Sequence, residues 1–286
     1  MRISGHFYCV IAAVLLAAGA CGKGREDAPG SLNKTADFEE KLRRAQRYID
    51  EGLYPQAAEL FRRIYAENPR SARAAAGLAR LYLLSAENDK AIEYGEKAVA
   101  ADENLDETWA DLGKAYSRRG EFEDAVWSFR KAGQLNPGNA VYFNRLGVAL
   151  GKLNINREAI SAFQQAVTIR PDYPEALNNL GMAFLQEDSL DRAEEALNRA
   201  IALHPDYGKG HLNLGLVKAA GGDRNAALAS YRKALELDPD LIAAHFYSGT
   251  ILLQEKRYRE ALESFQKIID TTPDFAPALM RMGEIE

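Results

Sequence analysis

The chain has 286 residues, a formal net charge of −5 and a sequence pI of about 5.6. This mildly acidic balance lacks the excess of lysine and arginine that binding to phosphate backbones requires, so we expect no nucleic-acid partner. Cys9 and Cys21 are the two cysteines. Cys9 lies in an N-terminal segment with the character of a signal peptide. Its removal with that segment leaves a single thiol, which excludes an internal disulfide and a thiol metal site.

Residues 1–20 form an apolar N-terminal segment in which Arg2 is the sole charge. The uncharged run over residues 7–20 is too short to span a bilayer comfortably as a mature helix, but it suits the apolar region of a secretory signal. We therefore expect residues 1–20 to be a signal peptide.

The segment ends Leu16-Ala17-Ala18-Gly19-Ala20-Cys21 and resembles the bacterial lipobox, with Ala18 at the place where that pattern prefers leucine. The resemblance implies a cysteine at 21 that becomes the diacylated N-terminus of a cell-envelope lipoprotein. Gly22 follows instead of Asp, which in enterobacteria implies the outer membrane with the repeats in the periplasm. The same small residues also fit an ordinary signal-peptidase site, which would release a soluble protein.

Residues 22–37 are polar, with three glycines and one proline in their first nine residues, which predicts a flexible tether for 21–37. The remainder, 38–286, is organised by a fixed period of 34 residues, the spacing of prolines such as Pro137 and Pro171. A period of this length indicates stacked supersecondary units. The units are 38–71, 72–105, 106–139, 140–173, 174–207, 208–241, 242–275 and a partial unit 276–286.

Small residues recur at fixed places of every unit. The twentieth place is always alanine: Ala57, Ala91, Ala125, Ala159, Ala193, Ala227 and Ala261. Small residues let two helices approach while large ones interlock above and below, so each unit is predicted to be a pair of packed helices. We expect aspartates after the prolines, such as Asp172 with Glu175 three residues on, to cap the next helix. Gly95 falls within a predicted helix, where glycine is costly, and is the expected soft joint.

These columns resemble the tetratricopeptide repeat. The family pattern is carried most completely by Trp109, Leu112, Gly113, Tyr116, Ala125, Phe129, Ala132 and Pro137. The resemblance covers 38–286. It implies an all-α, right-handed α-solenoid of about seven helix–turn–helix units plus a C-terminal half unit, with a concave face that holds ligands.

The chain lacks the sequence signatures of common enzymes. It has no P-loop, no dinucleotide fingerprint after a strand, no His-Glu-x-x-His and no Gly-x-Ser-x-Gly. We therefore expect no catalytic residue, no cofactor and no small-molecule substrate. His211 and His245 share the fourth place of neighbouring units, but further metal ligands are not evident, so we interpret both as partly buried replacements of an aromatic residue and expect no metal site.

The resemblance implies that the second, fifth, sixth, ninth, twelfth and thirteenth places line the concave face. These places are rich in charge in the first four units, carry asparagines in the middle and become apolar in units five to seven. Asparagine both donates and accepts, as pairing with a peptide backbone requires, although asparagine at these places is also common in the family. The predicted peptide-binding residues are Arg80, Lys114, Arg118, Asn144, Arg145, Asn178, Asn179, Met182, Leu212, Asn213, Leu216, Phe246 and Tyr247.

The sequence thus favours a non-catalytic scaffold that holds partner peptides during assembly of an envelope complex, attached to the membrane through an N-terminal lipid. Two alternatives stay open. One is an adaptor that is either soluble or held at the inner membrane by residues 1–20, which are then kept as an anchor. The other is the regulatory part of a longer enzyme whose catalytic region follows Glu286. For Phe246 and Tyr247 the alternative to binding is packing against the partial eighth unit.

Overall fold

The computed structural model describes residues 29–285, with side chains from residue 36 onward. The predicted signal peptide, the proposed lipidation site at Cys21 and the start of the tether lie outside these residues. Within the described part of the chain there are 15 helices and no strand, and the all-α repeat fold is confirmed.

The helices follow one another through short loops. They are α1 Pro29–Asp50, α2 Tyr54–Glu67, α3 Ala72–Leu84, α4 Asn88–Ala101, α5 Asp106–Arg119, α6 Phe122–Leu135, α7 Ala140–Lys152, α8 Asn156–Ile169, α9 Pro174–Gln186, α10 Leu190–Leu203, α11 Gly208–Ala220, α12 Arg224–Leu237, α13 Ile242–Gln254, α14 Tyr258–Thr271 and α15 Ala276–Gly283. From α3 to α14 each 34-residue unit contributes two of them. The chain divides into two compact units, one ending at Asn154 and one beginning at Ile155, and each is described by itself below.

The first helix begins before the predicted start of the repeats. Helix α1 starts at Pro29, within the segment 22–37 that the sequence predicts as a flexible tether. Proline is tolerated in the first turn of a helix because its missing N–H would have no partner there. Because the segment is polar, its sequence did not predict that the helix begins here.

The cores are built from the small columns of the repeat. The seven alanines of the twentieth place are all buried, from 0% exposed at Ala57 to 3% at Ala91. Gly113 in α5 shows why a side chain is excluded, because a Cβ there would lie 2.7 Å from Cε1 of Phe129 in α6. The prediction that small residues stand where paired helices meet is therefore confirmed.

Gly95 has the same role, which corrects its interpretation as a soft joint. Helix α4 runs through it without a break, and a Cβ there would lie 2.8 Å from Cδ2 of Leu112 in α5. The glycine permits close packing of α4 on α5, and this packing offsets its low helix propensity.

The expected capping by Asp172 is wrong. Helix α9 begins at Pro174, so its N-cap is Tyr173, which has no side-chain cap hydrogen bond. Asp172 stands one residue too early to accept from the first free N–H groups. Side-chain caps occur at other helices, where Ser71 accepts from Ala74 N at 3.2 Å and Asp223 from Ala226 N at 2.9 Å.

Candidate functional site

A groove of about 390 Å³ lies between α11 and α13, the first helices of the sixth and seventh repeats. Its floor is the ring of Tyr231 from α12, which is 1% exposed. Tyr247 stacks on that ring at a centroid distance of 6.0 Å and an interplanar angle of 24° while remaining 39% exposed. The groove is lined by Leu216, Ala219, Gly222, Arg224, Tyr231, Tyr247, Thr250, Ile251 and Gln254.

The glycine column of the repeat creates this floor. A Cβ on Gly215 of α11 would overlap the ring of Tyr231, so the absence of a side chain lets that ring lie against the helix backbone. Burial, and to a smaller extent Tyr247, raise the pKa of the Tyr231 hydroxyl. A tyrosine hydroxyl is protonated at neutral pH even without this shift, so the floor of the groove is uncharged.

The structure divides the predicted apolar binding residues into two sets. Leu216 and Tyr247 line the groove. Leu212 is buried in the core beneath it, and Phe246 packs on Phe265 and Phe275 with centroid distances of 6.1 and 6.0 Å. Phe265 and Phe275 belong to the same repeat as Phe246, 242–275, so these ring contacts lie within the seventh repeat.

Met182 lies on α9, where it is half-buried. It is not among the residues that line the groove between α11 and α13. The predicted apolar face therefore reaches from α9 to α13, but the enclosed space lies at its C-terminal end.

The predicted asparagines are mostly buried. Nδ2 of Asn213 on α11 donates to Oδ1 of Asn178 on α9 at 2.7 Å, and these residues are 5% and 1% exposed. Asn144 on α7 is also buried, and Asn179 on α9 is half-buried. The Asn178–Asn213 pair uses its amides to join two helices, which fixes their register, instead of presenting both to a ligand.

The predicted basic residues of the first repeats are engaged within the protein. The carboxylate of Asp111 is 7% exposed; it accepts from Nε of Arg80 at 2.9 Å and from Nζ of Lys114 at 2.8 Å. Arg80 also pairs with Glu107 at 2.9 Å. Burial opposes the charge of Arg80, but attraction to Asp111 and Glu107 outweighs it, so the pKa of the guanidinium is raised.

Two further predicted basic residues complete this set. Nη1 of Arg118 donates to the carbonyl of Leu83 at 2.6 Å, whereas Arg145 is exposed on α7. Arg80 and Arg118 therefore join α3 to α5, whereas Lys114 pairs with Asp111 within α5. A partner would have to compete with these internal contacts to use them.

The histidines have a structural role that sequence reasoning only partly identified. Nε2 of His211 lies 3.0 Å from the carbonyl of Pro205, and Nε2 of His245 lies 2.9 Å from that of Pro239. Trp109 occupies the same place of its repeat, and its Nε1 donates to the carbonyl of Glu103 at 2.9 Å. In these three repeats a ring N–H at the fourth place thus bonds a carbonyl of the preceding loop, six residues earlier in the sequence.

Among residues 29–285 no group of three or more His, Cys, Asp or Glu side chains is placed to hold a metal ion. None of the helices in that range combines the length and the apolar character that crossing a bilayer requires.

Comparison with known families identifies the class of protein. Family profiles described as tetratricopeptide repeat match residues 48–104, 110–172, 144–208 and 212–276. Together these ranges cover well over half of the 286 residues. The chain belongs to the tetratricopeptide repeat family.

Solved structures of this class resemble the chain. MamA is 28% identical with a TM-score of 0.55, and the match covers 59% of this chain and 92% of that one. YrrB, whose structure is titled a TPR protein with an unusual peptide-binding site, is 27% identical with a TM-score of 0.58, covering 65% of this chain and 96% of that one. Pseudomonas aeruginosa pilF has a TM-score of 0.65 over 76% of this chain and 99% of its own, but at 18% identity it shows the fold alone.

A curated relative matches a shorter region. Protein bimA of Emericella nidulans is 31% identical over 88 residues, which are 31% of this chain. The match spans only 11% of the length of that relative.

Proposed function

We propose that the protein is a non-catalytic scaffold that holds a segment of a partner protein, with an apolar partner side chain in the groove between α11 and α13. The observation that carries the proposal is the uncharged aromatic floor of Tyr231 and Tyr247 within a concave space of about 390 Å³. Aromatic residues in a concave site are the usual anchors of protein recognition.

Polar groups surround this floor. Thr250, Gln254 and Arg224 lie among the residues that line the groove, where they can bond the backbone of a bound segment while its side chain enters the apolar space. The similarity to YrrB, which carries a peptide-binding site by its title, supports a peptide as the ligand.

Crosslinking followed by titration tests this proposal. A photo-crosslinking residue at Gln254 captures the partner in cells, and a peptide from the captured region is then titrated calorimetrically against the protein. We expect Thr250→Trp, which fills the groove, and Tyr247→Ala, which removes its exposed ring, each to weaken binding about tenfold or more.

The matched control is Tyr258→Ala, which removes a similarly exposed tyrosine that does not line the groove. Its affinity is expected to equal that of the parent protein. Equal affinities for the parent, Thr250→Trp and Tyr247→Ala would rule out this groove as the binding site.

The location of the scaffold is a second part of the proposal. The sequence that ends at Cys21 supports a lipid-anchored protein of the bacterial envelope, on the outer membrane with its repeats in the periplasm. The expected result of Cys21→Ser is a shift of the protein from the membrane to the soluble fraction of the envelope. If this variant fractionates with the membrane as the parent does, the lipid anchor is wrong.

A further inference from the structure

A second groove of about 500 Å³ lies among α8, α9 and α10. The residues of α9 that line this groove are Leu180 and Phe184. They follow the predicted binding residues Asn178 and Met182 by two positions each. Two residues correspond to a rotation of about 200° around an α-helix, so this groove opens on the other side of α9. It is lined by Gln164, Val167, Thr168, Leu180, Phe184, Arg192, Glu195, Ala196 and Arg199.

The first and second repeats show what fills the equivalent space. Three repeat lengths before Val167, Phe184 and Ala196 stand Tyr65, Tyr82 and Tyr94. Tyr94 stacks on Tyr82 with centroids 5.5 Å apart and an interplanar angle of 27°, and it meets Tyr65 edge-on at 5.5 Å.

In the fifth repeat the aromatic base is kept, as Phe184. Tyr94, which stacks on that base in the second repeat, is replaced by Ala196, and Tyr65 of the preceding repeat is replaced by Val167 of the fourth. The groove is therefore the space that the side chain of a tyrosine takes in another repeat of the same chain.

Basic residues stand beside this space at equivalent positions of the second and fifth repeats. Lys90 and Lys97 of the second repeat correspond to Arg192 and Arg199 of the fifth. Lys97 stands over the ring of Tyr94 at 4.8 Å and pairs with Glu93 at 2.5 Å.

The arginines differ from the lysines in their partners. The guanidinium of Arg192 stands over the ring of Phe184 at 4.0 Å, and within the described part of the chain neither Arg192 nor Arg199 forms an ion pair. Glu195, at the place of Glu93, also lines the groove, so two guanidinium groups stand against one carboxylate and the groove keeps a net positive charge. Positive charge beside an apolar space favours a ligand that brings both an aromatic ring and a carboxylate.

We infer that this groove binds a tyrosine side chain of a partner protein whose neighbouring residues are acidic. The ring takes the place that Tyr94 occupies in the second repeat, against Phe184 and Ala196, and the flanking carboxylates pair with Arg192 and Arg199. This site is separate from the groove between α11 and α13, and it gives the scaffold a second contact with a partner.

Fluorescence anisotropy with a defined probe tests the inference. The probe is a labelled peptide with a central tyrosine between aspartate and glutamate residues. One matched peptide has alanine for the tyrosine, and another has lysines for the acids. The full chain is expected to bind the acidic tyrosine peptide at least about tenfold more tightly than either matched peptide, as loss of an anchor residue implies.

Variants of the groove sharpen the test. Ala196→Tyr supplies the missing ring from the chain itself and is expected to reduce binding at least about tenfold, whereas Thr250→Trp in the other groove leaves it unchanged. Arg192→Gln with Arg199→Gln, at two exposed positions, is expected to weaken binding and to reduce its dependence on salt. This pair keeps the test decisive even if Ala196→Tyr fails to fold.

Two results overturn the inference. The first is equal binding of the tyrosine and alanine peptides by the parent protein. The second is self-association in sedimentation that Ala196→Tyr abolishes, without binding of the peptide, because the occupant is then a second copy of this chain. Neither result affects the groove between α11 and α13, whose own test uses Thr250→Trp and Tyr247→Ala.

Discussion

At the scale of single residues, the turn inside each repeat requires a left-handed backbone. One residue every 34 positions has a positive φ, and the values run from 56° to 82°. Glycine occupies three of these places, where the conformation has no steric cost. The residues are Gly52, Ala86, Gly120, Asn154, Asp188, Gly222 and Lys256.

The Cβ atoms of Ala86 and Lys256 make their left-handed turns unfavourable. We expect Ala86→Gly to raise the free energy of unfolding by up to about 1 kcal/mol, because relief of this strain exceeds the added entropy of the unfolded chain. Urea unfolding followed by circular dichroism measures the change.

Gly120→Ala is the reverse substitution at the equivalent turn, where φ is 80° and no atom lies within 4 Å of the added Cβ. Its expected effect is a loss of about 1 kcal/mol that comes from the backbone alone. A stabilising Gly120→Ala would contradict the steric argument at both turns.

At the scale of elements, paired helices are held by the fit of one ring against one glycine. Gly113 of α5 faces the buried ring of Phe129 from α6, and Gly249 of α13 faces that of Phe265 from α14. The Asn178–Asn213 hydrogen bond of 2.7 Å adds a polar constraint between α9 and α11. Close packing and a single buried bond thus specify which helices meet and in which register.

Gly113→Ala tests this packing. The added Cβ would lie 2.7 to 2.8 Å from three ring atoms of Phe129, so we expect a loss of about 1–3 kcal/mol of stability despite the better helix propensity of alanine. Thermal and urea unfolding measure the loss.

Gly151→Ala is the matched control, because Gly151 lies within α7 and an added Cβ meets no atom within 4 Å. This substitution is expected to be neutral or stabilising by up to about 1 kcal/mol. If both variants lose stability equally, close approach of the helices is not the reason for glycine at 113.

At the scale of the whole molecule, buried tyrosines link stability to alkaline pH. The pKa of Tyr116 is raised by burial and then by its hydrogen bond to Glu96. Burial followed by Asp106 raises that of Tyr142, and burial followed by Tyr247 raises that of Tyr231. The folded protein therefore holds these protons at a pH where the unfolded chain, with a tyrosine pKa of about 10, releases them.

The sign of the pH dependence follows from this difference. Because the unfolded state binds fewer protons above pH of about 10, the free energy of unfolding is expected to fall as pH rises through that value. Urea unfolding at a series of pH values measures the slope.

Tyr116→Phe and Tyr231→Phe are expected to make this slope shallower, since each removes one ionisable group with a raised pKa. Tyr258→Phe is the control, because Tyr258 is 46% exposed. An unchanged slope in both buried-site variants would show that other groups govern alkaline unfolding.

The 34-residue repeat could be predicted before any coordinates, since a column such as Ala57, Ala125 and Ala193 shows its period in the sequence. The sequence also predicted that Leu216 and Tyr247 share a face of the repeats, and both line the groove between α11 and α13, because the place of a residue in a regular repeat predicts the side of the helix on which it lies. Local pattern sufficed for these features, because each unit packs mainly on its neighbours in the chain.

Tertiary structure alone decided which of these residues remain open to a ligand. Arg80 and Lys114 pair with Asp111, Phe246 packs on Phe275, and Asn178 bonds Asn213. The grooves are likewise invisible in the sequence, because a space exists only where side chains from several helices fail to fill it. Repeat position sets the direction of a side chain, but its exposure depends on which neighbours other helices bring to it.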